Sequence, residues 1–244
     1  MDNKEIELSR LAKVLARAGV ASRRNSEKLI FDGSISVNDV TVYDPSTKVS
    51  PADLIRVNGR RLNSPDSIRI WRFHKPVGFI TSEFDRQNRP TVFDILPKTL
   101  PRVISIGRLD LMSEGLLLFT NDGQIKRKFE LPSSELVRNY RVRAKGHHQE
   151  KYLEYLREGI TVAGESFRPM DISHDKKLGA NNWYTVALKE GKNREIRRAF
   201  KAIDLEVNRL IRVGFGPFTL GELERGELKE VSKAQLSRVL ARFS

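Results

Sequence analysis

The sequence predicts an α+β protein in two parts: a small helix-and-hairpin module, then a larger domain of longer strands and helices. Three observations predict it. Residues 8–62 carry two helical patterns followed by two hairpin signals, which is one small supersecondary unit. Residues 63–67 (Asn-Ser-Pro-Asp-Ser) are polar and contain a proline, the composition of a linker. From residue 68 onward alternating apolar runs and longer amphipathic segments replace the short strands. The expected division is therefore 1–62, a linker at 63–67, and 68–244.

In the first part, Leu8, Leu11, Leu15 and Ala18 recur at helical spacing and Gly19 follows as a C-terminal cap. Ser22 is placed to cap a second helix that ends at Asp32-Gly33. Asn38-Asp39, between Val37 and Val40, and Asn58-Gly59, between Val57 and Arg60, predict two tight hairpins. Arg23 and Arg24 open the second helix, where the dipole disfavours cations unless an anion is bound there.

In the second part, residues 68–73 alternate as a strand and run into His74-Lys75-Pro76-Val77-Gly78. Residues 82–90 form a charged loop, facing either RNA or plain solvent, and residues 91–97 a short helical turn. Residues 103–106 and 116–120 are short apolar strands, the second closed by Asn121-Asp122-Gly123. Between them lies Gly107-Arg108-Leu109-Asp110-Leu111-Met112-Ser113-Glu114-Gly115. A carboxylate in a loop between two buried strands is costly unless it is paired. Alone, such a loop aspartate is more often structural than catalytic.

A helix over residues 124–131, a strand over 136–143 containing Tyr140, and a helix over 150–157 come next. Strand Tyr residues are usually packing residues. Residues 183–188 and 207–216 are strong strand signals, and residues 233–243 a terminal helix. Between the two strands, Glu190-Gly191-Lys192-Asn193-Arg194-Glu195-Ile196-Arg197-Arg198 turns into a helix whose apolar face is Ile196, Phe200 and Ile203.

Composition narrows the partners. Lys and Arg outnumber Asp and Glu by 44 to 31 over 244 residues, a net charge of +13 with a pI near 10.1. That excess favours a polyanion, nucleic acid before an acidic membrane surface. There is no cysteine, which excludes disulfides and thiolate chemistry. The four histidines lie outside any ligand-spaced cluster, so no metal is expected. No apolar run approaches the roughly 18 residues of a membrane span, and the N-terminus lacks a targeting pattern. A cytoplasmic protein without membrane partners is expected.

The run from Gly107 to Gly123 closely resembles the active-site motif of pseudouridine synthases, in the branch containing RsuA, RluB, RluE and RluF. The segment from Glu190 to Arg198, the Lys75-Pro76-Val77-Gly78 stretch and the Leu210 strand resemble further motifs of that family. Ser113, His74 and Asn139 depart from it. The resemblance implies a largely antiparallel mixed sheet flanked by helices, with Asp110, Tyr140 and Arg197 as catalytic residues. In it Asp110 is essential, Arg197 pairs with that carboxylate, and Tyr140 packs on the target base. It further implies substrate contacts from Arg108, Leu210, Lys75, Arg194 and Arg198. Residues 8–62 resemble the alpha-L RNA-binding domain, which implies RNA contacts from Lys13, Arg17, Arg23 and Arg24.

Moving a uracil from nitrogen to carbon linkage leaves nothing oxidised and nothing lost, so no cofactor is expected. The expected activity is isomerisation of a uridine in ribosomal RNA by a monomer. The Arg89-Pro90-Thr91-Val92-Phe93-Asp94 stretch and Asn193-Arg194-Glu195 resemble the RluB type most, which implies large-subunit RNA. Small-subunit RNA, transfer RNA and a purely RNA-binding assembly factor are the alternatives.

Overall fold

In the computed structural model, which describes residues 8–242, the chain forms two units. The first comprises the chain up to Ile68 with Leu100–Val103 and Asn121–Gly123; the second takes the remainder.

The first unit runs β1 (Ser9–Arg10), α1 (Leu11–Arg17), α2 (Arg23–Phe31), β2 (Ile35–Val37), β3 (Val40–Thr41), β4 (Lys48–Val49), β5 (Ile55–Val57) and β6 (Arg60–Arg61). Leu11, Leu15, Ile30, Ile35 and Val49 close its core. The Ser22 hydroxyl accepts from the Asn25 amide at 3.2 Å, the N-cap that the sequence predicts. Both hairpins form where expected, with Asn38, Asp39, Asn58 and Gly59 all at positive φ, as the tight turns require. Leu8 does not join the first helix; it precedes it and is exposed.

The second unit is built on β7 (Ile70–Lys75), β8 (Ile104–Ile106), β9 (Glu114–Thr120), β10 (Arg138–Lys145), β11 (Ile160–Val162), β12 (Glu165–Phe167), β13 (Asp171–Leu178), β14 (Asn181–Leu188), β15 (Glu206–Phe215), β16 (Phe218–Thr219) and β17 (Leu228–Glu230). Its helices are α3 (Gly123–Glu130), α4 (Glu150–Glu158), α5 (Glu195–Ala202) and α6 (Lys233–Leu240). The expected end of the last helix, Phe243, lies outside the described residues.

The main sheet has the order β13-β14-β10-β15-β9-β7-β17, with β8 on β9 and β16 on β15. All of its pairs are antiparallel except β15 with β9, where Ile211 lies opposite Glu114 and Arg212 opposite Gly115. This is the expected α+β architecture. Every residue of β9 is buried, as its uninterrupted apolar run implies. In β14, by contrast, burial alternates residue by residue, so one face meets the core and the other is open. Tyr140, Val142, Tyr184, Val186 and Leu210 supply the inward face and pack with Ile196, Ala199 and Phe200 of α5.

The edge strand β13 has no counterpart in the sequence reading. Its Ser-His-Asp-Lys-Lys run lacks apolar alternation, and an edge strand with charged residues is read as loop.

Candidate active site

The loop from Gly107 to Ser113 joins β8 to β9, and much of its main chain is held. Gly107 turns the chain at φ +68° and its amide donates to Glu130 at 2.7 Å. The Thr81 hydroxyl donates to the Leu109 oxygen at 2.9 Å and accepts from the Leu109 amide at 3.2 Å. The Gly78 amide donates to Leu111 at 2.9 Å, and the Ser113 amide to Asp110 at 3.0 Å. Lys75 lies beneath, donating to the oxygens of Pro76, Asp110 and Ser113 at 3.0, 3.1 and 2.8 Å. Arg197 donates to Met112 at 2.8 Å and to Val207 at 2.9 Å. With its backbone tied from several elements, the loop presents the Asp110 side chain in one orientation.

That side chain faces a cavity of about 840 Å³. Arg108 and Asp110 of the loop, Tyr140 of β10, Leu210 and Arg212 of β15, and Arg194 and Glu195 at the start of α5 all line it. From the charged loop, Ser82, Asp85 and Arg89 reach it too. Tyr140 and Leu210 sit on neighbouring strands, since Val142 pairs with Leu210 and Tyr140 with Arg212.

Two sequence expectations are corrected here. The Asp110 carboxylate is not deeply buried: its side chain keeps 37% exposure. Nor is Arg197 its ion-pair partner. The cation nearest its carboxylate is Arg194, at 3.9 Å and itself half exposed. Arg194 holds a left-handed conformation at the N-terminus of α5, which swings its side chain toward the loop. Burial, with the neighbouring Arg194, lowers the Arg197 pKa below its ordinary value, and the Asp110 charge opposes that. Arg197 therefore senses Asp110 through space while its guanidinium holds the loop.

Lys75 and Arg198, both expected to touch substrate, do not line the cavity. Lys75 has no solvent exposure, and burial pushes its pKa down to about 8 against the pull of Asp110 and Glu114. Its three carbonyl partners show what it does instead: it props the loop. Arg198 pairs with Glu165, donates to Val162 at 3.1 Å and stacks 4.8 Å over Phe167, binding the β11–β12 hairpin to α5. In the first unit Arg23 and Arg24 are exposed and Lys13 is half-buried. Arg17 is already engaged, 2.7 Å from Asp122 and donating to the Asp66 oxygen at 2.7 Å.

Several residues in and around the site were given no role of their own by the sequence. Arg212 is 2% exposed and donates to the Leu116 oxygen at 2.7 Å; burial lowers its pKa, while the Tyr140 hydroxyl beside it pulls the other way. Glu114 is buried, which raises its pKa, but Arg209 at 2.6 Å and Arg225 at 3.0 Å more than reverse that. Glu195 is 4% exposed; burial and then the hydrogen bond with Glu190 push its pKa well above the carboxylate range. Burial also raises Glu190, but the Arg168 amide, then Glu195 and Lys192, bring it below its ordinary value. Gly115 is another: a Cβ there would lie 2.3 Å from the Arg212 oxygen, at φ +105°, so only glycine fits where β9 meets β15.

Chemically, the cavity offers the Asp110 carboxylate, with Asp85, Glu130 and Glu195 also in its lining, the Tyr140 phenol and several guanidiniums. A carboxylate and a phenol facing one space can divide nucleophilic or basic work from proton transfer. The cations suit a phosphate-bearing substrate. Among the described residues no group of His, Asp and Glu is arranged to hold a metal, and no helix is long and apolar enough to cross a membrane.

Comparison with known proteins follows the same division. Residues 69–202 match the family described as RNA pseudouridylate synthase, and residues 9–55 match the S4 domain. An uncharacterized RNA pseudouridine synthase of Rickettsia typhi is 45% identical over 232 residues, spanning 95% of each chain. Ribosomal large subunit pseudouridine synthase B of Salmonella typhimurium is 39% identical over 233 residues, 93% of this chain and 80% of that one. Among solved structures, the crystal structure of a pseudouridylate synthase superposes with a TM-score of 0.66 at 26% identity, covering 94% of this chain and 99% of that one.

Proposed function

The chain belongs to the RNA pseudouridylate synthase family, and we propose that Asp110 is its catalytic carboxylate and that its target is a uridine of large-subunit ribosomal RNA. The observation that carries the first part is the loop: its backbone is tied at successive positions while the Asp110 carboxylate faces the cavity. The second part is supported by the 39% identity to the Salmonella enzyme named for the large ribosomal subunit.

The reaction breaks the bond between uracil N1 and the sugar C1′ and makes one from C5 to C1′. C5 gives up a proton and N1 gains one, so the sum is an isomerisation. Asp110 serves either as the nucleophile at C1′ or as the base on the sugar. Both roles need it ionised. The uridine must leave its stack to enter, at a cost of a few kcal/mol. Tyr140 and Leu210 offer the flipped base an aromatic and an aliphatic wall, and the Tyr140 hydroxyl can carry the proton between C5 and N1. Arg108 and Arg194 meet the flanking phosphates. Lys75 and Arg197 act on the loop. Residues 1–62 serve as the RNA-binding module, with Arg23 and Arg24 as phosphate ligands at the α2 N-terminus. In this reading the protein acts as a monomer in the cytoplasm.

Pseudouridine mapping in RNA from cells with the protein, without it, and with Asp110→Asn tests this. One large-subunit position should lose its modification in the second and third cases. An Asn variant with full activity removes Asp110 from the chemistry. Loss confined to small-subunit or transfer RNA overturns the target.

A further inference from the structure

The open face of the main sheet carries a second constellation. Lys176, Trp183, Arg143 and Arg209 fall in line across four consecutive strands: Lys176 pairs with Trp183, Trp183 with Arg143, and Arg143 with Arg209. A register shift between His174 and Lys176 brings the lysine to the position opposite the indole. Arg141 and Ile211 form the adjacent row. The guanidinium carbons of Arg141, Arg143 and Arg209 lie 5.6, 5.9 and 6.0 Å from the Trp183 ring centre. Beside the ring is a depression of about 400 Å³ lined by Arg141, Lys176, Leu178, Trp183 and Ile211. None of these residues lines the Asp110 cavity, because Tyr140 and Leu210 leave the same strands from the other face.

The charge on this face is unbalanced. Asp175 answers Arg141 at 3.2 Å, and Glu114 answers Arg209 at 2.6 Å. Arg143 has instead a neutral partner, Asn208 at 2.7 Å, and Lys176 is exposed with no carboxylate within ion-pair distance among the described residues. An aromatic ring for a base with cations spaced around it for phosphates is the chemistry of single-stranded nucleic-acid binding.

We propose that this face binds a single-stranded RNA segment, with a base stacked at Trp183 and phosphates held by Arg143 and Lys176. It rests on the reading of the chain as an RNA-modifying enzyme, and adds an anchoring contact separate from the cavity that takes the uridine.

The test uses the full chain with Trp71→Phe, which leaves Trp183 as the one tryptophan of the two present. The probe is an oligoadenylate of about 12 nucleotides, within the span such platforms cover. It contains no uridine, so the chemistry plays no part. Trp183 emission should be quenched saturably. Arg143→Gln with Lys176→Gln should raise the midpoint at least about tenfold and reduce the salt slope by about 1.4, the loss of two single-strand phosphate contacts. Trp183→Ala should weaken RNA binding about tenfold or more, whereas Trp183→Phe, which keeps a ring, should bind within about threefold of the parent. Emission unchanged by the oligonucleotide overturns the proposal. So does equal quenching by a polyphosphate without bases, or an unaltered midpoint in the double variant. Pseudouridine formation on a ribosomal RNA fragment, measured on the same proteins, separates the readings: quenching without turnover refutes the enzyme, and turnover without quenching refutes this face.

Discussion

The ammonium of Lys75 donates to the main-chain oxygen of Asp110 at 3.1 Å from a position with no solvent contact. The residue proposed for the chemistry is thus anchored through its backbone, leaving its carboxylate for the substrate. Lys75→Met keeps the bulk and removes the donors to three carbonyls. Turnover should fall on the order of 100-fold with little change in RNA affinity, the pattern of a misplaced reacting group. The Lys75 pKa near 8 lies below the 10.5 of the unfolded chain. Between those values the unfolded state keeps a proton that the folded state has released, so stability rises with pH there. Urea titrations across the window should show that rise in the parent and not in the Met variant.

Arg197 and Arg194 should separate by which kinetic constant they move. Arg197→Ala frees the Met112 oxygen and leaves the loop less fixed, so kcat should drop about 100-fold at saturating RNA. Arg194→Ala removes a solvent-exposed pair at 3.9 Å and should cost less than about tenfold, mostly in affinity. Steady-state kinetics with a ribosomal RNA fragment checks both; equal losses in kcat would place Arg194, too, in support of the carboxylate.

Glu195 is held protonated by burial and by Glu190. Its folded pKa is above its unfolded value of 4.5, so its contribution to stability is complete below that pH. It is lost as pH climbs toward the folded pKa, where the folded state still holds a proton the unfolded chain has given up. Glu195→Gln mimics the neutral acid and should flatten that decline. Chemical denaturation at about pH 5 and about pH 8 reads the difference, which should shrink in the variant.

At the N-terminal unit, Arg23→Ala with Arg24→Ala should lower the salt dependence of RNA binding by about two in slope, one per phosphate contact. Arg17→Ala should instead reduce thermal stability, because its guanidinium already serves Asp122 and Asp66. Fluorescence anisotropy over a salt series and a melting curve distinguish these effects. An unchanged slope in the double variant takes the α2 N-terminus out of RNA binding.

What could be read from the chain depended on whether the cause was local. The hairpins at Asn38-Asp39 and Asn58-Gly59 were legible because the turn chemistry lies in those pairs themselves. β9 was legible because complete burial on both faces demands an unbroken apolar run. The loop aspartate and the strand tyrosine were found through their surroundings in sequence, and they line one cavity. The partners of the charged residues were not legible. Lys75, expected at the substrate, and Arg212 show their role only when the fold brings carbonyls 35 and 96 residues away against them. The Arg197 pairing failed for the same reason: which nitrogen meets which oxygen is set by how α5 docks, and nothing in a linear pattern encodes it.

The parallel pairing of β15 with β9 also bears on the order of events at synthesis. The Leu116 oxygen finds the Arg212 guanidinium 96 residues later in the chain, and Gly115 takes its place against a segment not yet made when Asp110 leaves the ribosome. Closing so long a loop is entropically unfavourable, and parallel strands this distant form late. A nascent chain therefore carries its loop aspartate, and even its tyrosine strand, for some time without the wall that completes the cavity. RNA met during that interval encounters the basic helices and no finished catalyst; only when β15 is threaded into the sheet does the enzyme become competent.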